Sequence, residues 1–259
     1  MIAKKALLLV APTILALFFS TAAHGQEIPT GPLVRIINCS LHENVTMAEA
    51  VELARSQPWD ETSPGAVFFR QSVYGGSYRE NYDFTIASYF PSYSEMNRRF
   101  YAANARPDTR MRTGMRGNDL FSCDPSTMRL THSHPVNPGN NDGFTGDGTL
   151  MTTRFCRLND DKTMADAYAF AQGVASNFAN AGDNSLYQMY TLELGPIGDT
   201  VAGRGMVVAT VPATPEAFAE RMDLRRDGLD PLEGLRPLPV SCDAPSMWFT
   251  HAIHRGGNN

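Results

Sequence analysis

The residues best suited to chemistry in this chain are two histidines in matching settings. Cys123-Asp124 is followed by Met128, Thr131 and His132, and Cys242-Asp243 by Met247, Thr250 and His251, an offset of 119 residues. Imidazole titrates near neutral pH, so His132 and His251 are candidate general bases. Each ends a β-rich run, where Met128, Leu130 and His132 share one face, as do Met247, Phe249 and His251. A histidine beside Thr131 or Thr250 serves equally well as a buried hydrogen-bond partner. His134 lies two residues beyond His132, which would place the two rings about 6–7 Å apart on one strand face. A metal needs a third or fourth ligand, and by letter matching the counterpart of His134 is Ile253, so no metal is assigned.

The second candidate chemistry is ligand binding. Phe68, Phe69, Tyr74, Tyr82, Phe84, Tyr89, Tyr187 and Tyr190 crowd the middle strands. Aromatic residues of this kind fill cores, and they also line apolar pockets in which a few polar groups orient a small molecule. Arg35, Arg70, Arg129, Arg154 and Tyr187 are the polar candidates. Asp142 to Asp147 lacks the alternating acids and terminal Glu of an EF-hand. No P-loop, dinucleotide fingerprint or nucleophile elbow occurs.

Composition narrows the partners. The formal net charge is −5, and loss of Lys4 and Lys5 takes it to −7. An acidic chain lacks the clustered Lys and Arg that neutralise phosphates, so nucleic acid is excluded. Arg106 to Arg116, the densest basic stretch, contains Pro107 and Gly114 and reads as a solvated loop. Lys4 and Lys5, the apolar run Ala6 to Phe19 and the small residues Ser20 to Ala23 form a secretory signal, with cleavage expected near Gly25. That run is shorter than the roughly 20 residues that span a bilayer. The mature protein is therefore expected to be secreted or periplasmic and free of the membrane. In that setting four cysteines read as two disulfides.

The elements that must position these residues come in two copies. Cys39-Ser-Leu41 and Thr46-Met-Ala-Glu-Ala50 recur as Cys156-Arg-Leu158 and Thr163-Met-Ala-Asp-Ala167, 117 residues on. Periodicity predicts strands at Leu33 to Leu41, Ala66 to Tyr74, Tyr82 to Phe90 and Met128 to Ser133, with helices at Thr46 to Ser56 and Ser92 to Asn104. The second copy predicts strands at Leu150 to Leu158, Leu186 to Leu194, Met206 to Val211 and Met247 to Ala252. Its helices are Thr163 to Phe178 and Thr214 to Leu224, the latter marked by Thr before Pro215. The division follows: a signal at 1–25, a first repeat at 26–134, a linker at 135–148 and a second repeat at 149–259.

A βαββαβ order is the ferredoxin-like plan. As a fused tandem repeat over Leu33 to His254, the chain resembles the dimeric α/β-barrel superfamily. The resemblance implies an α+β fold in which two ferredoxin-like units pack sheet to sheet as a pseudo-dimeric barrel. First and fourth strands are neighbours in that topology, which implies the pairs Cys39–Cys123 and Cys156–Cys242; the rival pairing is Cys39–Cys156 with Cys123–Cys242. The superfamily includes haem enzymes with an axial histidine on a helix of the second unit. Neither second-copy helix carries a histidine, and no cofactor is expected. Three functions fit: an exported protein binding a small apolar or aromatic ligand between the sheets, a cofactor-independent oxygenase or isomerase with His132 or His251 as base, and a protein-interaction module. The residues without a partner in the other copy, His42, His134, Arg35 and Arg129, are where divergence toward function is expected.

Overall fold

The computed structural model describes residues 28–75, 82–104, 120–137, 146–195 and 203–256. The proposed signal, the basic stretch Arg106 to Arg116 and most of the Asp142 to Asp147 loop lie outside these residues. The first copy runs β1 (Leu33–Leu41), α1 (Met47–Arg55), β2 (Ala66–Tyr74), β3 (Phe84–Phe90), α2 (Tyr93–Asn104) and β4 (Phe121–Asn137). The second runs β5 (Gly148–Leu158), α3 (Met164–Asn180), β6 (Leu186–Leu194), β7 (Gly205–Val211), α4 (Pro215–Arg226), β8 (Val240–Cys242) and β9 (Ser246–Arg255).

Local chemistry sets the helix starts. Thr46 and Thr163 each accept from the backbone N–H three residues on, while Glu49 and Asp166 accept from the threonine N–H at 2.8 Å. These reciprocal capping boxes satisfy backbone donors that a helix leaves open at its first turn. They also hold Glu49 and Asp166 below the usual carboxylate range, the backbone hydrogen bond being the largest cause.

The expected architecture, two ferredoxin-like units with separate sheets packed face to face, does not form. One closed antiparallel barrel does. Its strands follow the order β7-β6-β4-β1-β3-β2-β9-β5, and β5 returns to pair with β7, while the short β8 hangs on β5 outside the ring. An open sheet exposes two rows of unpaired backbone groups. Here β2 pairs with β9 and β4 with β6, so the edges of one copy satisfy those of the other. The helices stand outside the ring.

Strand residues are therefore buried on both sides, which explains why the strands read as apolar runs. Val34, Ile36, Ala87, Met151, Tyr190 and Trp248 point inward and fill the barrel. On the outer face, Phe69, Phe84 and Phe121 pack beneath α1 in the first copy. In the second, Cys156, Tyr187, Met189 and Met206 pack beneath α3. Cys39 bonds Cys123 and Cys156 bonds Cys242, tying β1 to β4 and β5 to β8. Such bonds persist in oxidising compartments and suit a protein outside the cytoplasm. No helix among the described residues is long and apolar enough to cross a membrane.

Candidate functional site

Strand pairing allows the two copies to be compared position by position. Cys39 lies opposite Phe84, and Cys156 opposite Met206. Ile37 lies opposite Ile86, and Arg154 opposite Val208. Leu41 lies opposite Phe121, and Leu158 opposite Val240. Four outer-face positions thus change in concert: Phe84 becomes Met206, Ile86 becomes Val208, Phe121 becomes Val240 and Ile37 becomes Arg154.

The volumes decide what each face can hold. In the first copy Phe69, Phe84 and Phe121 interlock with ring centroids 4.9–5.9 Å apart. In the second, the smaller replacements leave a cavity of about 360 Å³ between the barrel wall and α3 and α4. Ala171, Val174 and Phe178 of α3 form one wall, and Met206, Val208 and Val240 the other. Close-packed interiors leave few voids larger than a water molecule. A space of this size falls in the range of small-molecule sites.

A buried polar cluster fixes one end of the cavity. Arg221, the sole buried residue of α4, donates to Asp183 and to the Tyr187 hydroxyl, and its guanidinium lies 3.4 Å from the Phe178 ring centre. Asp183 also accepts from the Ser185 N–H and hydroxyl at 3.0 and 2.6 Å. Burial pushes the Tyr187 phenol well above its ordinary value, against the pull of Arg221, so it stays protonated. Thr152 and Arg154 on β5, Thr210 on β7 and Arg225 on α4 complete the polar lining.

Of the ligand-orienting residues expected from sequence, Tyr187 and Arg154 reach this cavity, and the others are dispersed. Arg35 is on the outer face of the first copy, 5.7 Å from the Phe90 ring centre. Arg129 donates to Asn38 Oδ1 and the Thr127 carbonyl. Arg70 is inside the barrel, donating to the Tyr89 hydroxyl at 2.7 Å, with the Tyr89 and Tyr190 hydroxyls 3.1 Å apart. His42, His134, Arg35 and Arg129 do not line the cavity.

The histidines are also elsewhere, and their correspondence changes. Phe69 pairs with His251 and Met189 with His134, and Phe69 and Met189 are equivalent because they face Ile86 and Val208. His134, rather than His132, is therefore the structural counterpart of His251. Letter matching fails because the turn after Cys123 is longer. Between the Cys39/Cys123 and Ile36/Arg129 pairs β4 advances six residues, whereas between Cys156/Cys242 and Thr153/Ser246 the returning chain advances four. The excursion is held by Asp124, which accepts from the Ser126 N–H, and by Thr127, which accepts from the Asn38 N–H.

Both counterparts stitch the copies together. His134 Nδ1 donates to the Pro29 carbonyl at 3.0 Å and Nε2 accepts from the Thr191 hydroxyl at 2.9 Å. His251 Nε2 donates to Gln71 Oε1 at 3.2 Å, and Gln71 is the equivalent of Thr191. His132 lies on the outer face near Tyr93, with Nε2 3.9 Å from Glu193. Among the described residues no group of three His, Cys, Asp or Glu side chains is placed to hold a metal. The cavity does not fit a haem iron either: no histidine lines it, Cys156 and Cys242 are bonded to each other, and Tyr187 is engaged by Arg221.

No family model and no curated protein sequence matches the chain. Solved structures do resemble it, and they are proteins of the dimeric α/β-barrel fold. One is a Lactobacillus acidophilus protein described as a monooxygenase, with 14% identity over 88% of this chain and 97% of that one and a TM-score of 0.48. Another is an anthrone oxidase-like protein, at 8% identity over 90% and 97% with a TM-score of 0.43. A third is a DyP-type peroxidase from Streptomyces coelicolor, at 11% identity over 89% and 91% with a TM-score of 0.46. At such distances no residue's role is carried across.

Proposed function

We propose that this chain is an exported protein that binds a small apolar or aromatic molecule in the cavity beneath α3 and α4. The observation carrying this reading is the exchange of Phe84, Ile86 and Phe121 for Met206, Val208 and Val240 at equivalent positions. One copy supplies the packed solution for this face, and the other departs from it at Met206, Val208, Val240 and Arg154 while keeping Cys156 in the place of Cys39. The expected location between two sheets is replaced by this one, since the strands close into a barrel whose inside carries its own core. An oxygenase or isomerase on this scaffold would need a base other than His132 or His251, neither of which lines the cavity.

The test imports the first copy's own residues. Met206→Phe with Val240→Phe should fill the cavity while keeping apolar chemistry. The neutral fluorescent probe N-phenyl-1-naphthylamine should bind the unaltered protein at one site and the filled variant at least about tenfold more weakly, with an unchanged circular dichroism spectrum. Equal binding by the two proteins, or none by the unaltered one, would reject the reading.

A further inference from the structure

We propose that the cavity beneath α3 and α4 selects an amphipathic acid, an aromatic or aliphatic body carrying one carboxylate, with Arg154 and Arg225 as the recognition groups. The inference rests on the cavity reading above and adds the class of ligand.

Arg154 stands where the first copy has Ile37, on the outer barrel face directly opposite Val208. An apolar residue is the packed solution at that site, so the arginine does not serve the barrel. Its side chain is half-buried on a wall that it shares with Met206 and Val208. Arg225, exposed to solvent on α4, borders the same space.

Counting charges gives the sign of the missing partner. Three guanidinium groups line the cavity, and Asp183 neutralises that of Arg221. Among the described residues the side chains of Arg154 and Arg225 have neither a hydrogen-bond nor an ion-pair partner. Burial lowers the Arg154 pKa, and the charges of Arg225 and Arg221 lower it further. Neighbouring cations with one apolar floor and no anion are relieved by a ligand that brings the anion. A guanidinium and a carboxylate form paired, charge-assisted hydrogen bonds, stronger than neutral ones. Phe178, Met206 and Val208 supply the surface for the apolar body.

The test uses a matched pair of probes on the full protein. Isothermal titration with 2-naphthoate and with 2-naphthalenemethanol, of nearly equal size, should show at least a tenfold preference for the acid at one site. In Arg154→Ile, which restores the first copy's residue, that ratio should fall toward one, and Arg154→Lys should keep part of it. Equal binding of both probes by the unaltered protein would overturn the acid selectivity and leave the cavity reading standing. Binding of neither would remove the cavity reading itself. A preference for the acid that survives Arg154→Ile would overturn the role of Arg154. Should Arg154→Ile fail to fold, Arg225→Gln supplies the same comparison, with a reduced ratio expected and an unchanged one against the proposal.

Discussion

At the scale of single residues, Arg221 determines whether the cavity has a roof. It is the buried residue of α4, and it pairs with Asp183 and Tyr187 beneath the helix. Taking away the cation would leave Asp183, 7% exposed, as a buried charge without its partner. Breaking such a pair from one side costs about 3–5 kcal/mol. Arg221→Met, which keeps the packing over Phe178, should therefore lower the unfolding free energy by that amount in urea titrations. A loss below about 1 kcal/mol would mean that the pair behaves as a surface salt bridge. Nothing in the sequence marked this residue. Arg221 lies in a helix with charged neighbours, and only the fold brings it to Asp183, 38 positions away.

At the scale of elements, the seams between the copies contribute pH dependence near neutrality. His134 sits on the β4–β6 seam and His251 on the β2–β9 seam. Burial holds both below the ordinary histidine value of 6.5, and Arg55 lowers His251 further. The folded protein thus binds these protons less readily than the unfolded chain does. Stability is full above pH 6.5 and falls as the pH drops beneath it, because protonation then favours the unfolded state. Unfolding free energies at pH 8 and pH 5.5 should show this decline, and His134→Gln with His251→Gln should flatten it. An unchanged slope in the double variant would place the acid sensitivity elsewhere. The strands and helices themselves were legible: the capping threonines, Pro215 and the two apolar periods located most of them. The pairing of His134 with His251 was not, because a two-residue difference in a turn shifts the register without altering the letters Thr-His that follow it.

At the scale of the whole molecule, duplication was readable and closure was not. Matching cysteines and helix starts reveal two copies, since both are set locally. Whether their sheets stack or join depends on which distant edges meet, a matter of backbone pairing between β2 and β9 and between β4 and β6. The cavity was hidden for a related reason. It consists of missing volume, visible only when Met206, Val208 and Val240 are set against Phe84, Ile86 and Phe121 in the correct register. Symmetry therefore points to function where it breaks, at Ile37 and Arg154, rather than at the repeated histidines. The most direct measurement is a crystal structure of the protein with 6-bromo-2-naphthoate, with data collected at the bromine absorption edge. An anomalous peak is expected between the barrel wall and α3, with the carboxylate within hydrogen-bonding reach of Arg154. A bromine peak inside the barrel or beside His132, with the space beneath α3 and α4 empty, would contradict this placement.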